Sequence, residues 1–339
     1  SRERYFYDML TSDDLTTLLL SIENPNEIGT LLSVSTKSLA KLINTPEYKI
    51  FRIKKKKNGF REITAPTKEL KICQRRLNFF LQSYYATIKP DEVFGFIINP
   101  NREIKSCNIV NNSLPHVAKK WVLNIDIKDF FPSISSKNVY ELFSSKIFGM
   151  NRNTAIALTL LCTYEAKLPV GAPTSPVISN FICYELDAEL STFCKSNDIS
   201  YTRYADDLTF SGNTPMNQHI YTSIEELIHK YGFTINKKKV RTKSIHSRQT
   251  VTGLVVNEKV NVDRRVIRKI RAMLHDLALN GKVEAAKKHF RVTEVDEDTV
   301  KLFLNKLNGL INFVGQIRGD VDSVYRKYKE MYSKISVWL

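Results

Sequence analysis

Three aspartates carry the chemistry that this sequence could do. Asp206 and Asp207 stand side by side in YTRYADDLTFSG, residues 201–212, between two apolar, aromatic-rich runs. Asp126 closes the core of another short apolar run, WVLNIDI, residues 121–127. Adjacent carboxylates repel, so the pair either lies in a solvated turn or has its charge offset. The first run reads as a hairpin with a tight turn at Ala205-Asp206-Asp207. The second reads as a buried strand that delivers Asp126 at its end. A strand end beside such a turn clusters three carboxylates, which stay ionised together only with cations bound. Hard oxygen donors select magnesium or manganese. Two such ions about 3.5–4 Å apart activate an attacking hydroxyl and stabilise the departing oxygen of a phosphoryl transfer.

The composition suits a polyanionic partner. The 339 residues carry 51 Lys and Arg against 35 Asp and Glu, a net charge of +16. An excess of this size points to nucleic acid, with a basic protein that lacks such a partner as the bland alternative. At 42% apolar residues the chain can bury a large core, and its length suggests two or three domains. No run approaches the ~20 apolar residues of a membrane span, so no membrane partner is expected. The opening SRERYFYDML lacks a signal peptide's apolar core. Five cysteines with no C-x-x-C pair argue against a zinc site or disulfide frame and suit a reducing cytoplasm.

The elements that must position the aspartates can be read in order. SVSTKSLAKLI, residues 33–43, has helical spacing. YKIFRIKKKKNGFREITAP, residues 48–66, alternates on both sides of Asn58-Gly59, a hairpin signal, with Lys54 to Lys57 running into the turn. Residues 67–85 return to helical spacing, with Thr67 as the expected cap. Residues 136–165 read as mainly helical, and 168–190 as a Pro/Gly loop that continues as helix. Beyond residue 263 the pattern is wholly helical. Val266, Ile267, Ile270, Met273, Leu274 and Leu277 form one stripe, started by Asp263 and ended by Gly281. Arg264, Arg265, Arg268, Lys269 and Arg271 crowd its other faces, and further helices are expected at 298–316 and 322–337.

With these motifs in order, the chain resembles a reverse transcriptase. YADD in a hydrophobic hairpin follows NIDIKDFFPSI and LPVGAPTSPVISN, as in the palm of that family. REITAP (61–66) resembles its fingers motif, GFTINKKKV (232–240) the segment after the catalytic turn, and VTGLVVN (251–257) its primer-gripping hairpin. The bacterial retron enzymes resemble this chain at two further places, NSLPH (112–116) and Val251-Thr252-Gly253. The resemblance implies an α+β right-hand polymerase. Residues 1–47 would be an N-terminal helical segment and 48–120 fingers with a retron-specific insertion. Residues 121–257 would be palm, with part of the fingers around 136–170, and 258–339 a helical, RNA-binding thumb.

It also implies roles. Asp126 and Asp206 match the aspartates that bridge two metal ions, with the Ile127 carbonyl as a further ligand, and Asp207 matches the third carboxylate. Phe131, beside Phe130, falls where an aromatic ring excludes a ribose 2′-hydroxyl, so the monomer is expected to be a dNTP. Arg61 would grip phosphates through its guanidinium fork. Lys239 matches a lysine that protonates pyrophosphate, and Tyr204 would pack at the primer end with the 251–253 triplet. Gly171 lets the backbone approach the incoming base. Val170 stands where the family has glutamine, which would weaken nucleotide binding by about one neutral hydrogen bond. Asn112, His116 and the five basic residues of 264–271 are expected at the RNA.

The expected activity is RNA-templated DNA synthesis primed from a guanosine 2′-hydroxyl of a cognate structured non-coding RNA. Its product would be branched msDNA, made in anti-phage defence with a separate effector protein. Two other readings stay open. One is another bacterial reverse transcriptase, of maturase or diversity-generating type. The other is a non-catalytic RNA-binding scaffold that keeps the polymerase fold.

Overall fold

Alternating apolar residues in YKIFRIK and FREITAP make two strands, β1 (Tyr48–Lys54) and β2 (Phe60–Pro66), paired antiparallel with Lys54 opposite Phe60. The computed structural model describes residues 10–55, 59–98 and 106–337, so Lys56, Lys57 and Asn58 of the expected turn lie outside the described residues. The chain divides into two units, one of residues up to 112 with 123–242, the other of 113–122 with residues from 243 on.

Among the described residues of the first unit, three short helices precede the hairpin: Ser12–Leu20, Pro25–Leu31 and Thr36–Asn44. Their caps are Thr11, which forms a reciprocal box with Asp14, then Asn24 and Ser35. The helix Lys68–Ile88 follows β2 and buries Leu70, Cys73, Leu77, Phe80, Leu81 and Tyr84. Thr67 sits at its cap position but makes no side-chain cap bond.

The central strands are β3 (Trp121–Asp126), β4 (Ser200–Tyr204), β5 (Asp207–Gly212) and β6 (Arg241–Ser244), in the order β4-β5-β3-β6. Leu123, Ile125, Leu208 and Phe210 are buried, which explains their near-continuous apolar runs. The β4–β5 register pairs Tyr204 with Asp207. The turn is therefore shorter than expected: only Ala205 and Asp206 form it, and Asp207 already belongs to β5. Ala205 has φ 61°, the positive value that the first residue of a type II′ turn requires. Helices Ser175–Ile182 and Tyr184–Ser196 precede β4, and Gln218–Lys230 follows β5.

In the second unit, β7 (Thr250–Val251) and β8 (Leu254–Val255) form a small hairpin. Thr252 and Gly253 make its turn with φ 46° and 85°, the type I′ signature; Thr252 is a β-branched residue in a conformation such residues rarely adopt. Helix Arg264–Phe290 starts at an Asp263 cap and runs on through a break at Gly281, φ 74°. The stop expected at Gly281 is there: its φ of 74° and ψ of 174° are not helical, so two helices meet at a kink. Helices Glu297–Arg318 and Ser323–Val337 complete the unit around Ile270, Met273, Leu274, Leu277, Phe303, Leu307 and Ile311. All five cysteines are free thiols.

Candidate active site

β3 and the β4–β5 turn meet through main chain. The Ile127 N–H donates to the Asp206 carbonyl at 3.0 Å, which ties the residue after Asp126 to the first aspartate of the pair. On the other side, the Lys128 N–H donates to Thr234 O and the Asn236 N–H to Asp126 O, both at 2.8 Å. Asp126 is thereby held between two segments that both contribute charged side chains. Lys239 Nζ donates to Oδ1 and Oδ2 of Asp126, each at 2.9 Å, and Asn236 Nδ2 reaches Oδ1 at 3.3 Å.

The three carboxylates share one electrostatic field. Burial raises Asp206 above the usual carboxylate range and Asp126 adds repulsion, while Lys239 and Arg61 act against the rise. Asp207 is pushed up to about 6 by loss of surrounding water, then by Asp206 and Asp126, with Lys239 opposing. Repulsion of this kind between oxygen donors is what a hard divalent cation relieves, so the donor chemistry fits magnesium or manganese. The convergence expected of a finished two-metal cage is absent: among the described residues no three His, Cys, Asp or Glu side chains are grouped to hold an ion. The Asp126 oxygens are instead engaged by the Lys239 ammonium.

Several expected residues lie around this field. Arg61 is exposed on β2 opposite Ile53 and close enough to act on Asp206. The β1–β2 hairpin meets the 168–171 loop where the Thr64 N–H donates to Val170 O at 2.8 Å. Gly171, φ 135°, is needed there: a Cβ would lie 3.0 Å from Ile63 Cγ2 and from Thr64 O. Phe131 is half-buried, with its ring stacked on Phe96 at 5.5 Å and against Phe130 at 5.6 Å. Phe130 is buried and packs on Phe233. Tyr204 is half-buried opposite Asp207.

Other expectations are corrected. Asn112 and His116 are buried, so as folded they present no side chain to RNA; burial holds His116 neutral, its pKa lowered to about 3. Val251 is buried with Val122 and Val256 and cannot touch a primer through its side chain; its carbonyl accepts from Ser113 Oγ. Thr252 is half-buried and Gly253 exposed. Arg265 is committed to Asp263 at 2.8 Å, a carboxylate that Arg248 also holds at 2.7 Å. Arg264, Arg268, Lys269 and Arg271 are exposed, as an RNA-facing role needs.

One residue escaped the sequence reading. A Cβ on Gly95 would lie 2.2 Å from Ala205 N and 2.7 Å from Tyr204 C. The segment around it runs against β4, with Phe94 N–H donating to Arg203 O and Arg203 N–H to Glu92 O, both at 2.9 Å. The signal was a glycine inside the apolar EVFGFI.

Comparison with known proteins bears on this arrangement. The family described as reverse transcriptase (RNA-dependent DNA polymerase) matches residues 53–277. The retron Ec86 reverse transcriptase of Escherichia coli is 34% identical over 264 residues, covering 76% of this chain and 78% of the relative. The retron Mx65 reverse transcriptase of Myxococcus xanthus is 33% identical over 261 residues, 71% of this chain and 58% of the relative. The retron Ec73 reverse transcriptase of Escherichia coli is 29% identical over 326 residues, 91% and 94% respectively. Among solved structures, a telomerase from Candida albicans with a TWJ fragment of telomeric RNA matches at TM-score 0.48 and 12% identity. That match covers 86% of this chain, which spans about half (55%) of the telomerase chain. No helix among the described residues is long and apolar enough to cross a membrane.

Proposed function

The chain belongs to the retron reverse transcriptases, RNA-directed DNA polymerases of right-hand α+β fold, and from that premise we propose how it works. It copies a structured non-coding RNA made with it. Synthesis starts from a guanosine 2′-hydroxyl of that RNA and leaves branched msDNA, in defence against phage alongside a separate effector protein. Fingers are assigned to 48–120, palm to 121–257 and a helical RNA-binding thumb to 258–339.

Asp126, Asp206 and the Ile127 carbonyl would hold two divalent ions, magnesium or manganese, with Asp207 nearer the primer. Bound there, such ions supply a deprotonated attacking hydroxyl and stabilise charge on the leaving oxygen. The new bond joins the primer oxygen to the α-phosphorus of a dNTP, and the broken bond releases pyrophosphate. Lys239 is the proton source for that leaving group. Its contact with Asp126 holds the ammonium at the reacting end of the site. Arg61 steadies the triphosphate by bidentate hydrogen bonding. Phe131, braced by Phe96 and Phe130, closes the space a 2′-hydroxyl would need, which selects dNTPs. Gly171 keeps the loop backbone close beneath the incoming base, with Val170 in place of an amide-bearing side chain.

The observation that carries this reading is the 3.0 Å bond from Ile127 N–H to Asp206 O, which sets the three carboxylates in one field. The test is purified protein with the non-coding RNA encoded beside its gene, a divalent cation and labelled dNTPs. A DNA product joined to RNA through a 2′–5′ branch is expected. Extension of an added primer alone, or no synthesis, overturns the proposal.

A further inference from the structure

A chain this basic places one arginine where it can meet no ligand at all. Arg203 of β4 is wholly buried, two residues before the Ala205-Asp206 turn. Its Nε and Nη2 donate to Oδ1 and Oδ2 of Asp187 at 2.8 and 2.6 Å, and Asp187 is equally buried. Tyr201 OH donates to the same Oδ1 at 2.8 Å. The remaining nitrogen, Nη1, donates to Asn180 Oδ1 at 2.9 Å and to the carbonyl of Ala205 at 3.1 Å. Asn180 Nδ2 in turn donates to the carbonyl of Gly95 at 3.1 Å.

A buried ion pair is weak evidence of a stabilising role, because apolar residues of the same volume often serve as well. What the guanidinium adds is direction, since its donors are fixed in one plane. Here the plane joins helix Tyr184–Ser196, helix Ser175–Ile182 and the turn itself. Ala205 is held at φ 61°, which a residue with a Cβ keeps only where its surroundings impose it. Two things impose it: the Nη1 bond to its carbonyl, and the Gly95 segment pressed against its nitrogen. Asp187 neutralises Arg203, so the pair does not act on the site by charge. We propose that Arg203 and Asp187 are positioning residues: they set the Ala205-Asp206 turn so that Asp206 O meets Ile127 N–H and Asp206 faces Asp126. A contribution to core stability alone is the competing account.

The inference rests on the polymerase reading, and its test separates the two. Arg203→Met with Asp187→Leu replaces the pair by apolar side chains of similar size and removes the bond to Ala205. Extension of a DNA primer on an RNA template is measured with thermal midpoint and with hydrogen exchange at the Ile127 amide. The double variant leaves Tyr201 OH and Asn180 Oδ1 without these partners and is expected to melt below the parent, but once folded to keep dNTP KM within about threefold while kcat falls ~100-fold, as for a 1 Å misplacement. Ile127 should exchange at least about tenfold faster relative to the slowest amides of helix Lys68–Ile88, which report global opening. Arg203→Lys covers the case in which the double variant does not fold. It keeps the charge pair but lacks the fork, and kcat should fall by about tenfold or more with KM little changed. Parental kcat and Ile127 protection in either folded variant overturn the inference. A parent protein that makes no DNA overturns the polymerase reading instead.

Discussion

Lys239 Nζ bridges both carboxylate oxygens of Asp126, 2.9 Å from each. An ammonium thus engages the lone pairs that a divalent ion would need. The pair is half open to water, with the lysine side chain 59% exposed, so it is worth only about 1 kcal/mol, or roughly fivefold in binding. Lys239→Met is therefore expected to tighten Mn2+ binding to the nucleotide-free protein by about that factor, read by calorimetry. Its turnover should fall with loss of the proposed proton source. Unchanged or weaker Mn2+ affinity would show that the lysine does not compete.

The aspartate pair predicts opposite effects on stability and on synthesis. The Asp207 carboxyl is pushed up to about 6 in the folded protein, against 3.8 for a free aspartate side chain. A carboxyl raised on folding binds its proton more tightly in the folded state. Its destabilising effect is complete above about pH 6 and disappears below about pH 4. Because Asp207 is exposed, screening reduces this to about 1 kcal/mol. Asp206→Asn with Asp207→Asn should abolish DNA synthesis and leave RNA affinity unchanged. In EDTA it should melt higher than the parent at pH 7.5 but not at pH 4. A variant no more stable at pH 7.5 would contradict the repulsion.

How much of this could be read beforehand follows from range. The β1–β2 hairpin, the buried β3 and the helical tail were legible because apolar periodicity and turn residues act within a few positions. The two-residue turn was not, because pairing of Tyr204 with Asp207 is decided by register across strands. The motifs put Lys239 and Asp126, 113 residues apart, at one site, but their direct contact is decided only when the chain folds. The NSLPH motif puts His116 at the RNA, yet packing turns its side chain inward, and burial cannot be read from a polar residue in a short loop.

Gly95 makes a steric prediction with a built-in control. A Cβ there would stand 2.2 Å from Ala205 N, and main chain of the turn cannot step aside cheaply. Gly95→Ala should lower kcat by about 100-fold, as displaced catalytic groups do, and lower the melting temperature. Gly309, inside the helix Glu297–Arg318, has nothing within 4 Å of a Cβ. Gly309→Ala should leave kcat alone and stabilise by roughly 0.5–1 kcal/mol. Full activity in Gly95→Ala would mean that the turn does not depend on that close approach.

His116 sets a pH dependence of unfolding. Burial, with Lys119 adding to it, lowers its pKa to about 3, and an unfolded histidine titrates near 6.5. The folded value lies below the unfolded one, so as the pH falls the unfolded state takes up the proton first. The favourable contribution is whole above about pH 6.5 and shrinks as pH drops toward 3, by at most about 1.4 kcal/mol per pH unit. Between pH 7.5 and pH 5 this amounts to about 2 kcal/mol. Other titrating groups contribute equally in a His116→Gln variant, so comparison of the two proteins isolates the term. Urea unfolding at both pH values should show the parent losing about 2 kcal/mol more than the variant. Equal losses would place His116 in contact with water in the folded protein.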